Sequence, residues 1–167
     1  MSLPNISNIG KKSKVAGILR WYVPNWNDDA VEDPKPEGPG KEPKKQKIPY
    51  IDFRPATSEN KAWIAERLKW EKSSEGQRLT RGKATVGAID AIREAEYPMF
   101  AKTVVAGWGD FEDDDGKEFK FAQGDLARTE SLLRALGIHN FDDFRDTARQ
   151  PKNASAAEGR DELAGNS

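Results

Sequence analysis

The stretch that decides the fold class runs from residue 48 to residue 71 and reads IPYIDFRPATSENKAWIAERLKWE. In its first part, Ile48–Phe53, alternate residues form two sets, Ile48, Tyr50 and Asp52 on one side and Pro49, Ile51 and Phe53 on the other. This two-residue repeat predicts a β-strand. Thr57 or Ser58 then supplies a side-chain oxygen that can cap a helix, and Glu59 suits the positive helix end. One broad face at helical spacing is formed by Trp63, Ile64, Arg67, Leu68, Trp70 and Glu71. A strand followed by a helix of this kind predicts an α+β fold.

A second strand is predicted on the N-terminal side of this stretch. Val15–Trp26 is rich in aromatic and β-branched residues, and Pro24 indicates that the strand ends there or lies at a sheet edge. The two strands can pair antiparallel, with residues 27–47 as the connecting loop. This loop holds four prolines and has only Ala30 and Val31 as aliphatic residues, so it cannot bury enough surface to offset its ordering entropy. We expect it to be flexible or to adopt polyproline II structure.

Helical patterns continue after the first helix, which Ser73–Gly76 is expected to end. Pro98 divides the next apolar stretch, because proline lacks the backbone N–H that a helix interior needs. It can end one helix and begin another, with Gly107 at the C′ position of the second. Asp115-Gly116 is a tight-turn signal and predicts a small β-hairpin. The predicted helices are Ala84–Glu96, Pro98–Ala106, Gln123–Leu136 and Phe141–Arg149, the last of them capped by Asn140.

Together these elements predict a single, mainly helical α+β domain over residues 15–149. It contains a short N-terminal β pair, a small β-hairpin and the long Pro-rich loop at residues 27–47. Residues 1–14 are expected to form a flexible N-terminus. Residues 150–167 consist mostly of Ala, Gly, Asn, Ser and charged residues, which predicts a disordered C-terminal tail.

The composition excludes several kinds of chemistry. Of the 167 residues, 33% are charged and 36% are hydrophobic, and 27 basic against 28 acidic residues give a net charge of -1. This balance provides no overall basic field, which argues against nucleic acid as a partner. The absence of cysteine excludes disulfides, zinc thiolates, iron–sulfur clusters and cysteine nucleophiles. The single histidine, His139, has no second His or Cys near it in sequence, so it is interpreted as a structural or surface residue.

The acidic run Asp110–Asp115 is the strongest candidate for a metal site. With Gly116 at the glycine position of an EF-hand loop, the first and last ligand positions fall on Phe111 and Ala122, whose side chains cannot bind calcium. The run is therefore interpreted as a solvated hairpin tip. The sequence also has no glycine-rich phosphate loop and no carboxylate pair at a diagnostic spacing. We therefore predict no enzymatic activity, no catalytic residue, no cofactor and no metal ion.

Signals for export or membrane insertion are not apparent in the sequence. No apolar run is long enough to span a bilayer as a helix. Met1–Asn5 lacks the basic region and apolar core of a signal peptide. The chain is therefore expected to be cytoplasmic and to have no membrane partner.

The order of features in the C-terminal half is similar to that of a known family. Residues 100–108 predict a helix that ends in Gly-Trp, and Asp113–Lys117 is an acidic Asp-Gly turn. Phe119–Phe121 then leads into the leucine-bearing helix Leu126–Leu136. This order resembles the tail assembly chaperones of long-tailed bacteriophages.

The resemblance extends upstream to the step Arg54–Thr57, with Asn60 in the following helix, and covers about residues 51–149. It implies a non-enzymatic phage protein that binds the tape-measure protein in the host cytoplasm before the tail tube polymerises. Tail-tube subunits would be its second partner. A long helical partner exposes apolar stripes that would otherwise aggregate. The expected contacts are large aromatic residues, each with a core role as its alternative, namely Trp63, Trp70, Trp108, Phe119 and Phe121.

Two other classes of function remain open from the sequence. Another phage-encoded interaction protein, such as a host-defence inhibitor or a minor virion component, fits the same size, charge and lack of reactive groups. A single-stranded nucleic-acid-binding protein would stack bases on the aromatic residues of Arg20–Trp26. Trp21 and Trp26 in this stretch are also candidates for binding a protein partner. Formation of a homo-oligomer is compatible with each of these functions.

Overall fold

The computed structural model describes residues 17–26, 47–153 and 155–156. The predicted flexible N-terminus at 1–14, the Pro-rich loop up to residue 46 and the tail beyond residue 156 lie outside the described residues. The predicted α+β class is confirmed. The helices are α1 Lys61–Lys72, α2 Ser74–Arg81, α3 Val86–Thr103, α4 Leu126–Ala135 and α5 Ile138–Arg149, and the strands are β1 Leu19–Tyr22, β2 Tyr50–Phe53, β3 Val105–Gly109 and β4 Ser155–Ala156.

The strands form one sheet in the order β3-β2-β1-β4, with every neighbouring pair antiparallel. Leu19 lies opposite Phe53 and Tyr22 lies opposite Tyr50, so the predicted antiparallel pairing of the two N-terminal strands is confirmed. The other edge of β1 pairs with β4, which follows a 3₁₀ turn at Pro151–Asn153. This pairing corrects the start of the predicted tail, because the chain just after residue 150 is part of the fold.

The hydrophobic core lies between the sheet and the helices, with Leu132 and Leu133 of α4 among its buried residues, and its aromatic part comes from the strands and from α1, α3 and α5. Alternation along β2 turns Ile51 and Phe53 inward, and both are fully buried. The ring of Phe144 in α5 lies edge-on to Phe53 at 5.5 Å between centroids, and Phe100 in α3 is 5.9 Å from Phe144. Trp63 in α1 makes a further edge-on contact with Phe100 at 5.0 Å. This aromatic cluster joins the sheet to all three helices.

Helix α3 continues through Pro98, which corrects the prediction of two helices at Ala84–Glu96 and Pro98–Ala106. A proline removes one backbone hydrogen bond of the helix, and the carbonyl group that loses its donor belongs to Glu94 on the exposed face. Water can solvate that carbonyl group, while the apolar residues after the proline are buried in the core. Tertiary packing therefore outweighs the local cost. Strand β3 follows, so Gly107 lies in a strand at the sheet edge and not at a helix end.

Helix α1 begins later than predicted, because a different side chain caps it. The predicted caps were Thr57 and Ser58, but Asn60 occupies the cap position. Its Oδ1 accepts a hydrogen bond from the Trp63 N–H at 3.1 Å, and its Nδ2 donates to the Thr103 carbonyl at 3.0 Å. The same residue thus starts α1 and ties it to the end of α3.

Two further helix boundaries differ from the prediction. Ser73 ends α1 but at once caps α2, where its Oγ accepts from the Gly76 N–H at 3.1 Å. Helix α5 begins at Ile138, directly after Gly137 with its φ of 83°. Asn140, the predicted cap, therefore lies inside α5.

The segment between β3 and α4 forms the predicted tight turn with little regular β structure. An isolated β-bridge closes this segment. Asp113 Oδ1 accepts hydrogen bonds from the N–H groups of Asp115 and Lys117, each at 2.9 Å. Gly116 has a φ of 75°, a conformation that glycine adopts without strain. The acidic run thus lies at an exposed hairpin tip, in agreement with its interpretation from sequence.

Gly76 allows α1 and α2 to approach closely, and a substitution tests that contact. A Cβ atom at this residue would lie 1.9 Å from the Trp70 carbonyl oxygen. Gly76→Ala must therefore shift a helix, and we expect it to lower the free energy of unfolding by about 1–3 kcal/mol. Gly87→Ala in α3 is the matched control, since its Cβ would meet nothing within 4 Å, and it should raise the free energy of unfolding by about 0.5–1 kcal/mol. Urea denaturation measures both values, and similar effects of the two substitutions would contradict the close contact.

Candidate functional site

An apolar groove lies between α1, α3 and α4, and we name it the Trp70 groove. Its cavity volume is about 590 Å³. Its apolar lining consists of Trp70 from α1, Ala95, Pro98, Met99 and Ala101 from α3, and Leu126 from α4. Leu126 is 45% exposed although its side chain is large and apolar. The groove therefore offers accessible apolar surface on an otherwise strongly charged protein.

Charged side chains border the Trp70 groove, namely Glu66, Lys69, Glu75, Lys102 and Glu130. The ammonium group of Lys102 donates a hydrogen bond to Glu66 Oε1 at 2.5 Å. This contact holds the pKa of Glu66 below its usual value. An apolar centre with a polar rim is the arrangement found in protein-binding surfaces.

A second cavity, which we name the arginine cleft, adjoins the groove. Its volume is about 240 Å³, and Trp70 and Met99 line both cavities. The cleft brings α1, α2, α3 and α5 together. Its remaining apolar lining is Trp63, Ile89 and Ile92, and its polar lining is Arg67, Glu71, Thr80, Glu96, Arg145 and Arg149.

Glu96 of α3 organises the charges of the arginine cleft. Its side chain is only 5% exposed. Arg145 and Arg149 of α5 both donate to its carboxylate, at 3.1 Å and 2.5 Å. Arg145 also lies 3.2 Å from Asp142. Since a buried carboxylate is costly without such partners, this network fixes how α5 packs on α3.

Three nitrogen atoms beside this network have no hydrogen-bond partner in the described part of the chain. They are Trp70 Nε1, Arg145 Nε and Arg149 Nε, and all three are shielded from solvent. Their side chains line the same arginine cleft. A buried donor without an acceptor costs about 1–3 kcal/mol. Three such donors at one cavity therefore mark it as a candidate binding site.

Three of the aromatic residues predicted to contact a partner lie in the core. Trp21 packs against Phe144 at 5.3 Å, and its Nε1 donates to Asp143 at 2.7 Å. Trp63 and Trp108 are also buried. Because a buried ring has almost no surface to present to a partner, the structure corrects the predicted contact role of Trp21, Trp63 and Trp108 in favour of a core role.

Phe119 and Phe121 pack against Trp108 and hold the turn segment on β3. Phe119 stacks on the Trp108 ring at 5.7 Å, and Phe121 meets it edge-on at 4.9 Å. Trp108 Nε1 donates to the Phe119 carbonyl at 2.6 Å. The guanidinium of Arg128 lies 3.9 Å from the centroid of the Phe119 ring. Both phenylalanines are half-buried, so they stabilise this segment and line neither cavity.

Part of the aromatic surface of the stretch Arg20–Trp26 is buried, and part is exposed. Trp21 is buried, and Arg20 donates to Asp52 Oδ1 at 2.8 Å while its guanidinium lies 3.7 Å from the Tyr50 ring centroid. Trp26 is 46% exposed beyond the end of β1. Of all the predicted contact residues, Trp70 is the one that lines the groove.

The described residues contain neither a cluster for a metal ion nor a membrane-spanning helix. Within residues 17–26, 47–153 and 155–156, no group of three or more His, Cys, Asp or Glu side chains could hold a metal ion. His139 is exposed in the first turn of α5. Among the helices described above, none is both long and apolar enough to cross a membrane.

Sequence reasoning missed the residues that build the two cavities around Trp70. Arg145 and Arg149 are spaced i, i+4 on α5, which places them on one helix face and is the signal that could have pointed to them. Glu96 and Met99 carry no such signal, because their role depends on how α3 packs against α5 and α1. Leu126, in the predicted leucine-bearing helix, lies at the first position of α4 beside the groove.

The chain was also compared with known proteins. No protein-family model, no curated protein and no solved structure matches it.

Proposed function

We propose that this chain is a non-enzymatic tail assembly chaperone of a long-tailed bacteriophage that acts in the host cytoplasm. Its partners would be the tape-measure protein and the tail-tube subunits, as the family resemblance implies. The observation that carries the proposal is the Trp70 groove, an accessible apolar cavity of about 590 Å³ with a charged border. Such a surface is suited to covering an apolar stripe on another protein.

An amphipathic helix is the partner segment that best suits the Trp70 groove. Helices dock into apolar grooves through side chains spaced at i, i+3, i+4 and i+7. A long helical tape-measure protein would present this pattern many times. Trp70 supplies a large rigid contact surface, and the half-exposed Leu126 supplies an aliphatic one. These two residues support binding to many similar sites along one partner.

A charge placed in the groove is expected to abolish the chaperone function. Leu126→Glu should reduce binding of the tape-measure protein at least about tenfold, because burying a leucine side chain contributes about 1.5–3 kcal/mol. The measurement is co-expression with the long helical protein encoded beside this gene, followed by the soluble and co-purified amounts of that protein. Ile138→Glu is the matched control. It also replaces a large exposed apolar side chain at the first position of a helix, but outside the groove.

Each result of this experiment bears on the proposal. Loss of solubility with Leu126→Glu and retention with Ile138→Glu would support it. Equal loss with both variants would show that the groove is not the contact surface. If the long protein is equally soluble without the wild-type chain, the chaperone proposal is wrong.

Two further observations separate this proposal from its alternatives. The gene is expected between a tail-tube gene and the gene of a very long helical protein, and a position among replication genes would count against it. Single-stranded oligonucleotide at low salt is expected to leave the tryptophan fluorescence unchanged. Quenching that salt abolishes would favour the nucleic-acid-binding alternative.

A further inference from the structure

The arginine cleft is built differently from the Trp70 groove, and the chaperone proposal makes no use of it. Aromatic and aliphatic side chains line part of it, and guanidinium groups line the rest. Its volume of about 240 Å³ is well below that of the groove and suits a small molecule better than a helix. This combination indicates a ligand with an apolar body and an acceptor group.

We propose that the arginine cleft binds a small organic acid, whose carboxylate pairs with Arg145 and Arg149 and whose apolar body lies against Trp70. Arg145 uses its two Nη atoms on Glu96 and Asp142, and Arg149 uses Nη2 on Glu96. Neither Nε makes a hydrogen bond, although Asp146 lies 3.9 Å from the Nε of Arg145. A carboxylate offers two oxygens in one plane, which matches the planar set of donors on a guanidinium group.

The lining of the cleft carries a small positive surplus, and it lies on Arg149 more than on Arg145. The lining holds three arginines and two glutamates. Both glutamates are already paired, since Arg67 Nε donates to Glu71 at 2.8 Å and Glu96 accepts from two arginines. The lining therefore has one positive charge more than its carboxylates balance. Outside the lining, Asp142 lies 3.2 Å from an Nη of Arg145 and Asp146 lies 3.9 Å from its Nε, so these carboxylates offset the charge of Arg145. Among the described residues, Arg149 forms an ion pair with Glu96 alone.

Binding requires a side-chain rotation, and Arg149 is the residue best placed to make it. The unused nitrogens are shielded from solvent, so the acid reaches them only when a guanidinium turns toward it. The Arg149 side chain is 34% exposed and lies in the last turn of α5, where it is less confined than Arg145. The new hydrogen bonds replace donors that are unsatisfied without the acid, which favours the bound form.

Nuclear magnetic resonance tests this site directly on the full chain. We expect 3-phenylpropionate to produce saturable shifts of the Trp70 indole N–H signal and of the Nε–H signals of Arg145 and Arg149. The uncharged amide of the same acid, which has the same shape, should bind at least about tenfold more weakly, because it forms no charge-assisted hydrogen bond. Equal binding of acid and amide would overturn the role of the carboxylate. No saturation by the acid up to about 10 mM would overturn the site itself.

Variants locate the binding event without removing a positive charge. Arg149→Lys keeps the charge beside Glu96 but lacks Nε and the planar donor set, and it should weaken binding of 3-phenylpropionate about tenfold. Arg134→Lys is the control, since Arg134 pairs with Glu94 and Glu130 away from the cleft and should not affect binding. A similar loss in both variants, or no loss in Arg149→Lys, would contradict the proposed site. The shifts of the wild-type chain stay informative even if Arg149→Lys folds poorly.

Discussion

Phe144→Ala is expected to lower the free energy of unfolding by about 3–5 kcal/mol. The side chain is fully buried, and its ring contacts the rings of Trp21, Phe53 and Phe100 at 5.3, 5.5 and 5.9 Å between centroids. These partners lie on β1, β2 and α3, so the substitution opens a cavity where the sheet, α3 and α5 meet. Part of the loss is the transfer of the ring to water, and the rest comes from the cavity that remains.

Chemical denaturation monitored by tryptophan fluorescence and by circular dichroism measures the effect of Phe144→Ala. Leu68→Ala on α1 is the control, because Leu68 is a large apolar residue that is 48% exposed. It should change the free energy of unfolding by about 0.5–1 kcal/mol at most. A loss below about 1 kcal/mol for Phe144→Ala would contradict the position of this ring at the centre of the core.

The sheet and the fold class could be predicted because they depend on local patterns. Alternation over Ile48–Phe53 places Ile51 and Phe53 on one face, and these residues are buried as the pattern requires. The aromatic strand before Pro24 pairs with this strand in the antiparallel direction that was predicted. Both signals arise from the two-residue repeat of a strand, which a single sequence displays directly.

The helix boundaries were harder to predict because they depend on contacts between distant segments. Asn60 is selected as the cap of α1 partly because its side chain also bonds to Thr103, and sequence gives no measure of that contact. Helix α3 continues past Pro98 because Met99, Phe100 and Ala101 are buried in the core. The local preference of proline to end a helix takes no account of this burial. In both cases tertiary packing outweighs the local preference of the sequence.

The candidate site was only partly predictable for the same reason. Size and aromatic character pointed to Trp70, but they pointed equally to Trp21 and Trp63, which are buried. Trp70 differs from the others because it lies between two cavities. One cavity lies between α3 and α4, and the other lies between α3 and α5. That position exists only in the folded chain, since the residues that line the two cavities come from five different helices.

Glu96→Ala is expected to lower the free energy of unfolding by about 3 kcal/mol, which is the usual loss when one partner of a buried ion pair is removed. Arg145 and Arg149 would lose their shared acceptor. Arg145 would keep Asp142 at 3.2 Å. All three charged groups are solvated in the unfolded state, so the substitution raises the free energy of the folded state alone. Glu94→Ala is a close control, because Glu94 lies on the same helix and also pairs with an arginine, Arg134, but its side chain is 61% exposed.

Glu94→Ala should lower the free energy of unfolding by less than about 1 kcal/mol, as is usual for exposed ion pairs. Glu96→Gln should fall between the two, because it keeps the size and the oxygen acceptor but removes the charge. Denaturation of the three variants measures this order. Equal losses for Glu94→Ala and Glu96→Ala would mean that Glu96 is solvated in the folded protein. Helix α3 also supplies Ala95 and Met99 to the Trp70 groove, so loosening the contact between α3 and α5 should disturb the groove. We therefore expect the Glu96→Ala variant to bind its partner more weakly and the Glu94→Ala variant to bind it as the wild type does.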